Sequence, residues 1–171
     1  AALTLSHDSG FYAGATATTW PLVTIFRGVP VFEMANELGL DAFTLGNHEF
    51  DYGWQQVAAL RKEAEFPIVT ANVFGPDGKP LADSRYIILR VNGLRVGVIG
   101  AVMGNLASGY LTPKTAGPIR VTPVVETVGQ VARQIGKQVD VVLVLGHILP
   151  SEGSAILREV PEVESVFSVL G

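Results

Sequence analysis

The sequence predicts an α/β sandwich of helices and mixed sheets, and three observations predict it. Apolar runs of strand length alternate with segments of helical periodicity along most of the chain. The run Asp140-Val-Val-Leu-Val-Leu145 is almost continuously apolar, as expected of a strand buried on both faces. Asn92-Gly93 separates two strand-like runs, which is the strongest short signal for an antiparallel hairpin, so the sheet is not purely parallel.

The elements follow in order. Residues 2–6 read as a short strand, His7-Asp8-Ser9-Gly10 follows it, and a loop of small residues runs to Thr19. Residues 30–38 form a helix: Pro30 suits its first turn, Val31, Met34, Ala35 and Leu38 fall at helical spacing, and Gly39 suits its stop. Residues 41–45 are a strand and 54–64 an amphipathic helix with Val57, Leu60 and Ala64 on one side. Residues 68–71 are a further strand, and 72–84 a turn-rich loop punctuated by Gly75-Pro76-Asp77-Gly78. The hairpin pairs 85–91 with 94–101. Residues 103–118 form a long irregular segment, of the kind that is often functional. A helix over 123–138 places Val124, Val128, Val131 and Ile135 on one face. The buried strand over 140–145 follows it. A short helix over 151–158 has Ser151 as its expected N-cap, and 163–170 is the last strand.

Composition bounds the function. The chain has 171 residues, 48% of them hydrophobic and 16% charged, enough for one domain with a real core and no interdomain linker. A net charge of −4 without a basic run gives a nucleic-acid partner no electrostatic support. No apolar run reaches membrane-spanning length. Without cysteine, any metal must be held by nitrogen and oxygen ligands. No signal peptide is visible, and the chain opens without methionine in what reads as a strand, as a processed or truncated product would.

The chemistry concentrates in Gly46-Asn47-His48-Glu49-Phe50-Asp51, directly after the strand over 41–45. The C-terminal ends of strands are where open α/β sheets build their sites. Asn47 offers a neutral oxygen, Glu49 and Asp51 charged ones, and His48 a nitrogen ligand or a proton carrier. Against this stands a polar loop in which Asn47 and Asp51 only satisfy backbone groups, Asp51 as the cap of the next helix. All three histidines, His7, His48 and His147, follow or close an apolar run, which would gather polar groups on one rim of a sheet.

The string Leu45-Gly-Asn-His-Glu-Phe-Asp-Tyr-Gly53 closely resembles the signature of the calcineurin-like metallophosphoesterases, in their 5′-nucleotidase / UDP-sugar hydrolase branch. The stretches 26–42 and 66–73 resemble that branch's flanking helix and strand, and the likeness runs over nearly the whole chain. It implies two facing mixed sheets flanked by helices. It implies two divalent metal ions, Mn²⁺ or Zn²⁺, with Asn47 and His147 as ligands of one and Asp8 as the bridge between the two. It implies that His48 contacts the phosphoryl oxygen or leaving group, with Asp51 orienting its imidazole. Glu49 has no implied role and reads as structural. The substrate implied is a small phosphate ester or nucleotide, and the implied location is periplasmic or extracellular.

The chain departs from this family in three places. His7-Asp8 is adjacent and reversed where the family has Asp-x-His on its first strand. The sequence stops at Gly171, where the family's Gly-His-x-His would begin, and the base-recognising second domain is absent. The expectation is therefore a partial catalytic domain over 1–171, weakly active or inactive alone. A thiosulfohydrolase on the same scaffold and a non-catalytic binding protein lacking one metal site remain open. The intact Asn47-His48-Glu49 weighs against the former.

Overall fold

Two sheets face each other, and a layer of helices covers each from outside. The computed structural model describes residues 10–13 and 25–168. The larger sheet has the order β4-β5-β7-β8, from β4 (Tyr86–Val91), β5 (Leu94–Val102), β7 (Val141–His147) and β8 (Ser165–Ser168). β4 and β5 are antiparallel around Asn92 and Gly93, whose φ values of 50° and 83° give the paired left-handed turn that this dipeptide favours. β5–β7 and β7–β8 are parallel.

The second sheet is built on β1 (Gly10–Ala13) and β2 (Leu40–Thr44), which are parallel. The loop expected after Gly10 is corrected at residues 11–13, which belong to β1, and its remainder over 14–19 lies outside the described residues. The predicted strand over 2–6, together with His7 and Asp8, lies outside the described residues.

Side-chain parity sorts the layers. Ala42, Val69, Val96, Val98, Leu143 and Leu145 meet in one cluster between the sheets. On the outer face of the larger sheet, Ile99, Val142 and Val144 pack against α4 (Val124–Ile135) and α5 (Pro150–Glu159). On the outer face of the other, Phe43 and Leu45 pack against α1 (Val29–Glu37) and α2 (Gln56–Glu63).

α4 buries its predicted face, Val124, Val128, Val131 and Ile135. α1 does not. It buries Phe32 and Ala35, while Met34 and Leu38 are 65% and 75% exposed. The bulk of Phe32, tilted against Phe43 and stacked on Phe66 at ring-centroid separations of 5.0 and 5.7 Å, turns the helix by about one position from the stripe that spacing alone suggests.

Four other expectations change. The segment over 68–71 is not a continuous strand, because its hydrogen bonds serve both sheets: Val69 N donates to Phe43 O at 2.7 Å and Ala71 N to Gly100 O at 2.8 Å. The two backbones come so close that a Cβ on Gly100 would stand 1.8 Å from Val69 O. Within the expected loop over 72–84, β3 (Val73–Phe74) pairs antiparallel with β6 (Arg120–Val121). The irregular segment over 103–118 holds a wide helical turn (Leu106–Tyr110) and α3 (Pro113–Ala116). Finally, Ser151 does not cap α5. The helix begins at Pro150, and the Glu152 carboxylate accepts from Leu149 N at 2.9 Å.

Candidate active site

β2 ends at Thr44, and the chain then tightens into a single turn, His48–Phe50. Phe50 is fully buried beside Leu45 and holds that turn against the core. Glu49, 1% exposed, points inward and accepts from Gly46 N at 2.6 Å, closing the loop on itself. The turn leaves His48 and Asp51 at the surface with side chains 31% and 33% exposed. His48 Nδ1 lies 3.0 Å from Asp51 Oδ2. Asp51 therefore engages the imidazole and does not cap α2, whose first residue is Gln56. Asn47 is half-buried at the start of the turn, with helical backbone angles and its carbonyl accepting from Phe50 N at 3.1 Å.

His147 is the last residue of β7, 1% exposed, opposite Val102 in the parallel ladder. Its carbonyl accepts from Met103 N at 2.9 Å. The end of β2 is joined by hydrogen bonds, through residues 70–72, to the end of β5, which pairs with the end of β7. Thr70 Oγ1 accepts from Leu45 N at 3.2 Å and lies 3.3 Å from Thr44 Oγ1. Two residues on, the buried Asn72 spans Val102. Its Oδ1 accepts from Val102 N at 3.0 Å, and its Nδ2 donates to Val102 O at 2.7 Å and to Thr122 O at 3.3 Å.

Sequence reasoning assigned Asn72 to a loop. The signal that could have found it is an asparagine directly after the apolar residues 66–71, where a buried amide must find partners for every donor and acceptor.

The donor chemistry fits a divalent cation in part. Asn47 contributes an amide oxygen and His147 a buried imidazole, a mixed set such ions accept. Among the described residues, no group of three or more His, Asp or Glu side chains is arranged to hold an ion, and Asp8 lies outside them. The structure thus brings His48 and Asp51 into contact and links the strand ends that carry Asn47 and His147.

No family model matches the chain. It is 32% identical over 165 residues to Protein 5NUC of Lutzomyia longipalpis, covering 90% of this chain and 27% of that protein. It is 33% identical over 159 residues to snake venom 5′-nucleotidase of Gloydius brevicauda, covering 87% and 26%. The crystal structure of the calcineurin-like phosphoesterase YfkN from Bacillus subtilis superposes with a TM-score of 0.68 at 26% identity, covering 81% of this chain and 47% of that one. The chain spans about a quarter of the length of those two curated relatives. Shared sequence over most of its length and shared fold make the chain a homologue of the 5′-nucleotidases, within the calcineurin-like phosphoesterases.

Proposed function

We propose that the chain is part of the catalytic domain of a hydrolase acting on phosphate monoesters, with nucleoside 5′-phosphates as substrates. The observation that carries this reading is the His48–Asp51 pair, 3.0 Å apart on a half-open loop at the end of β2. The relatives support the substrate class: they are named as 5′-nucleotidases and as a 2′,3′-cyclic-nucleotide 2′-phosphodiesterase/3′-nucleotidase.

With Nδ1 turned to Asp51, the second ring nitrogen of His48 serves the substrate. The carboxylate fixes the orientation of the ring, and a proton carried on that second nitrogen is aimed at the phosphoryl or leaving oxygen, where negative charge grows. Glu49 keeps the loop in shape from below, and the partial exposure of the pair admits a small ester. The family generally uses divalent metals. In this reading Asp8, Asn47 and His147 would be the residues that hold a divalent cation, Mn²⁺ or Zn²⁺. Such ions supply Lewis acidity toward the phosphoryl oxygens and lower the pKa of water.

The test is made in the whole protein that carries this chain. His48→Ala is expected to lower turnover about 10²- to 10⁴-fold, the usual range for a lost acid–base group, with metal content by elemental analysis unchanged. Asn47→Ala and His147→Ala are expected to lower metal content. Loss of metal from His48→Ala would make it a ligand and overturn its assigned role. Absence of turnover on nucleoside 5′-phosphates by the metal-loaded wild type would reject the function itself.

A further inference from the structure

Beside the His48–Asp51 pair lies a cleft of about 530 Å³, walled by Arg27, Asp51, Tyr52, Gln55, Lys114 and Thr115. That volume is in the range of small-molecule sites. Two cations from distant parts of the chain face it, against one carboxylate whose Oδ2 is already engaged by His48. The hydrolytic reading uses neither cation.

The backbone at both positions is held in place. Arg27 has a φ of 51°, a left-handed conformation that a residue with a side chain adopts only where its surroundings impose it, and such residues gather at functional sites. Gln56 Nε2 donates to the Arg27 carbonyl at 2.9 Å, and the guanidinium carbon lies 5.5 Å from the centre of the Tyr52 ring. Lys114 sits on α3, where Thr112 and Thr115 cap each other through hydrogen bonds of 3.0 and 3.2 Å. The Thr115 carbonyl accepts from Trp54 N at 2.9 Å. The backbone that carries each cation is thus stitched to residues 52–56, immediately after the motif loop.

We propose that the Arg27–Lys114 cleft is an oxyanion subsite, taking a phosphate of the substrate other than the one being hydrolysed. The inference rests on the phosphoesterase reading. The ligand it selects is a nucleotide or ester with a second phosphate group. Arg27 meets that group with the fork of its guanidinium and Lys114 with a point charge. Gln55 adds an amide to the wall. Asp51, turned toward His48, keeps the second phosphate on the cationic side of the cleft.

The test is calorimetric titration of the whole protein that carries this chain with inorganic pyrophosphate, at low salt and with a chelator present so that no metal contributes. Wild type is expected to bind. Arg27→Gln and Lys114→Gln should each weaken binding about fivefold, the order expected of one partly exposed charge. Arg27→Lys, which keeps the charge and loses the fork, should restore only part of it, and Lys79→Gln, on a remote turn, should retain all of it. Thermal unfolding of each variant separates lost binding from lost folding. No binding by wild type, or binding that Arg27→Gln and Lys114→Gln leave unchanged, overturns the proposal. Hydrolysis of an aryl phosphate by the metal-loaded whole protein is measured separately. Its absence alongside intact pyrophosphate binding would count against the phosphoesterase reading and not against the subsite.

Discussion

Glu49 shows how a motif residue without chemistry of its own can decide a site's shape. Its buried carboxylate takes the Gly46 amide at 2.6 Å, and the loop between them carries Asn47 and His48. Glu49→Ala leaves that amide without its acceptor and opens a hole beneath the turn. A stability loss of about 2 kcal/mol is expected from the lost charged hydrogen bond, read by urea unfolding. A fall in turnover larger than the unfolded fraction explains is also expected. Glu49→Gln keeps an acceptor oxygen and should restore part of both; no recovery would show that the loop does not depend on this bond. At this scale the sequence was informative about residue types and their spacing. Three residues in a tight turn suffice to bring Asp51 to His48. It was silent about Asn72, whose value lies in joining Val102 to Thr122 across the fold, a relation that no local pattern contains.

Elements with strong periodicity were legible, and those without it were not. α4, the β4–β5 hairpin and β7 were recognisable because each repeats its signal over many residues or carries a dedicated turn. β3 and β6, two residues each, have no period to read. The 68–71 segment looked like a strand, yet it divides its hydrogen bonds between two sheets, which its apolar composition does not encode. Where it passes β5, Gly100 has no room for a side chain. Gly100→Ala should cost about 3 kcal/mol, the upper end for forced overpacking, and should displace the neighbouring ends of β5 and β7. Gly93→Ala is the matched control. Its left-handed φ of 83° is strained by any side chain, but nothing lies within 4 Å of the added carbon, so about 1 kcal/mol is expected. Similar urea midpoints for the two variants would show that the close approach is relieved cheaply.

Across the whole molecule, the layer order of helix, sheet, sheet and helix was implied only by family resemblance. Burial patterns say that a strand has two covered faces but not what covers them. The rim opposite the motif loop is tied by one ion pair, where Arg95 at the start of β5 meets Asp140 before β7 through contacts of 2.8 and 3.1 Å. Hydrogen bonds from the Arg95 side chain and backbone, then its charge, lower the Asp140 pKa from 3.8 to about 2. A depressed carboxylate contributes stability that is complete above the unfolded pKa and vanishes as pH falls through the folded one. The melting temperature of Asp140→Asn should therefore lie below wild type above about pH 4, and the gap should close toward pH 2. A gap that persists at pH 2 would mean that the pair acts through packing and not through charge. The contact between Gly100 and Val69 has a historical consequence as well. Every replacement of glycine adds a Cβ, so position 100 is closed to single-step change while the facing segment, read here as a strand only from its sequence, stays where it is. Only lineages in which that segment had first shifted could have explored other residues there. The order of substitutions would then matter as much as their identity.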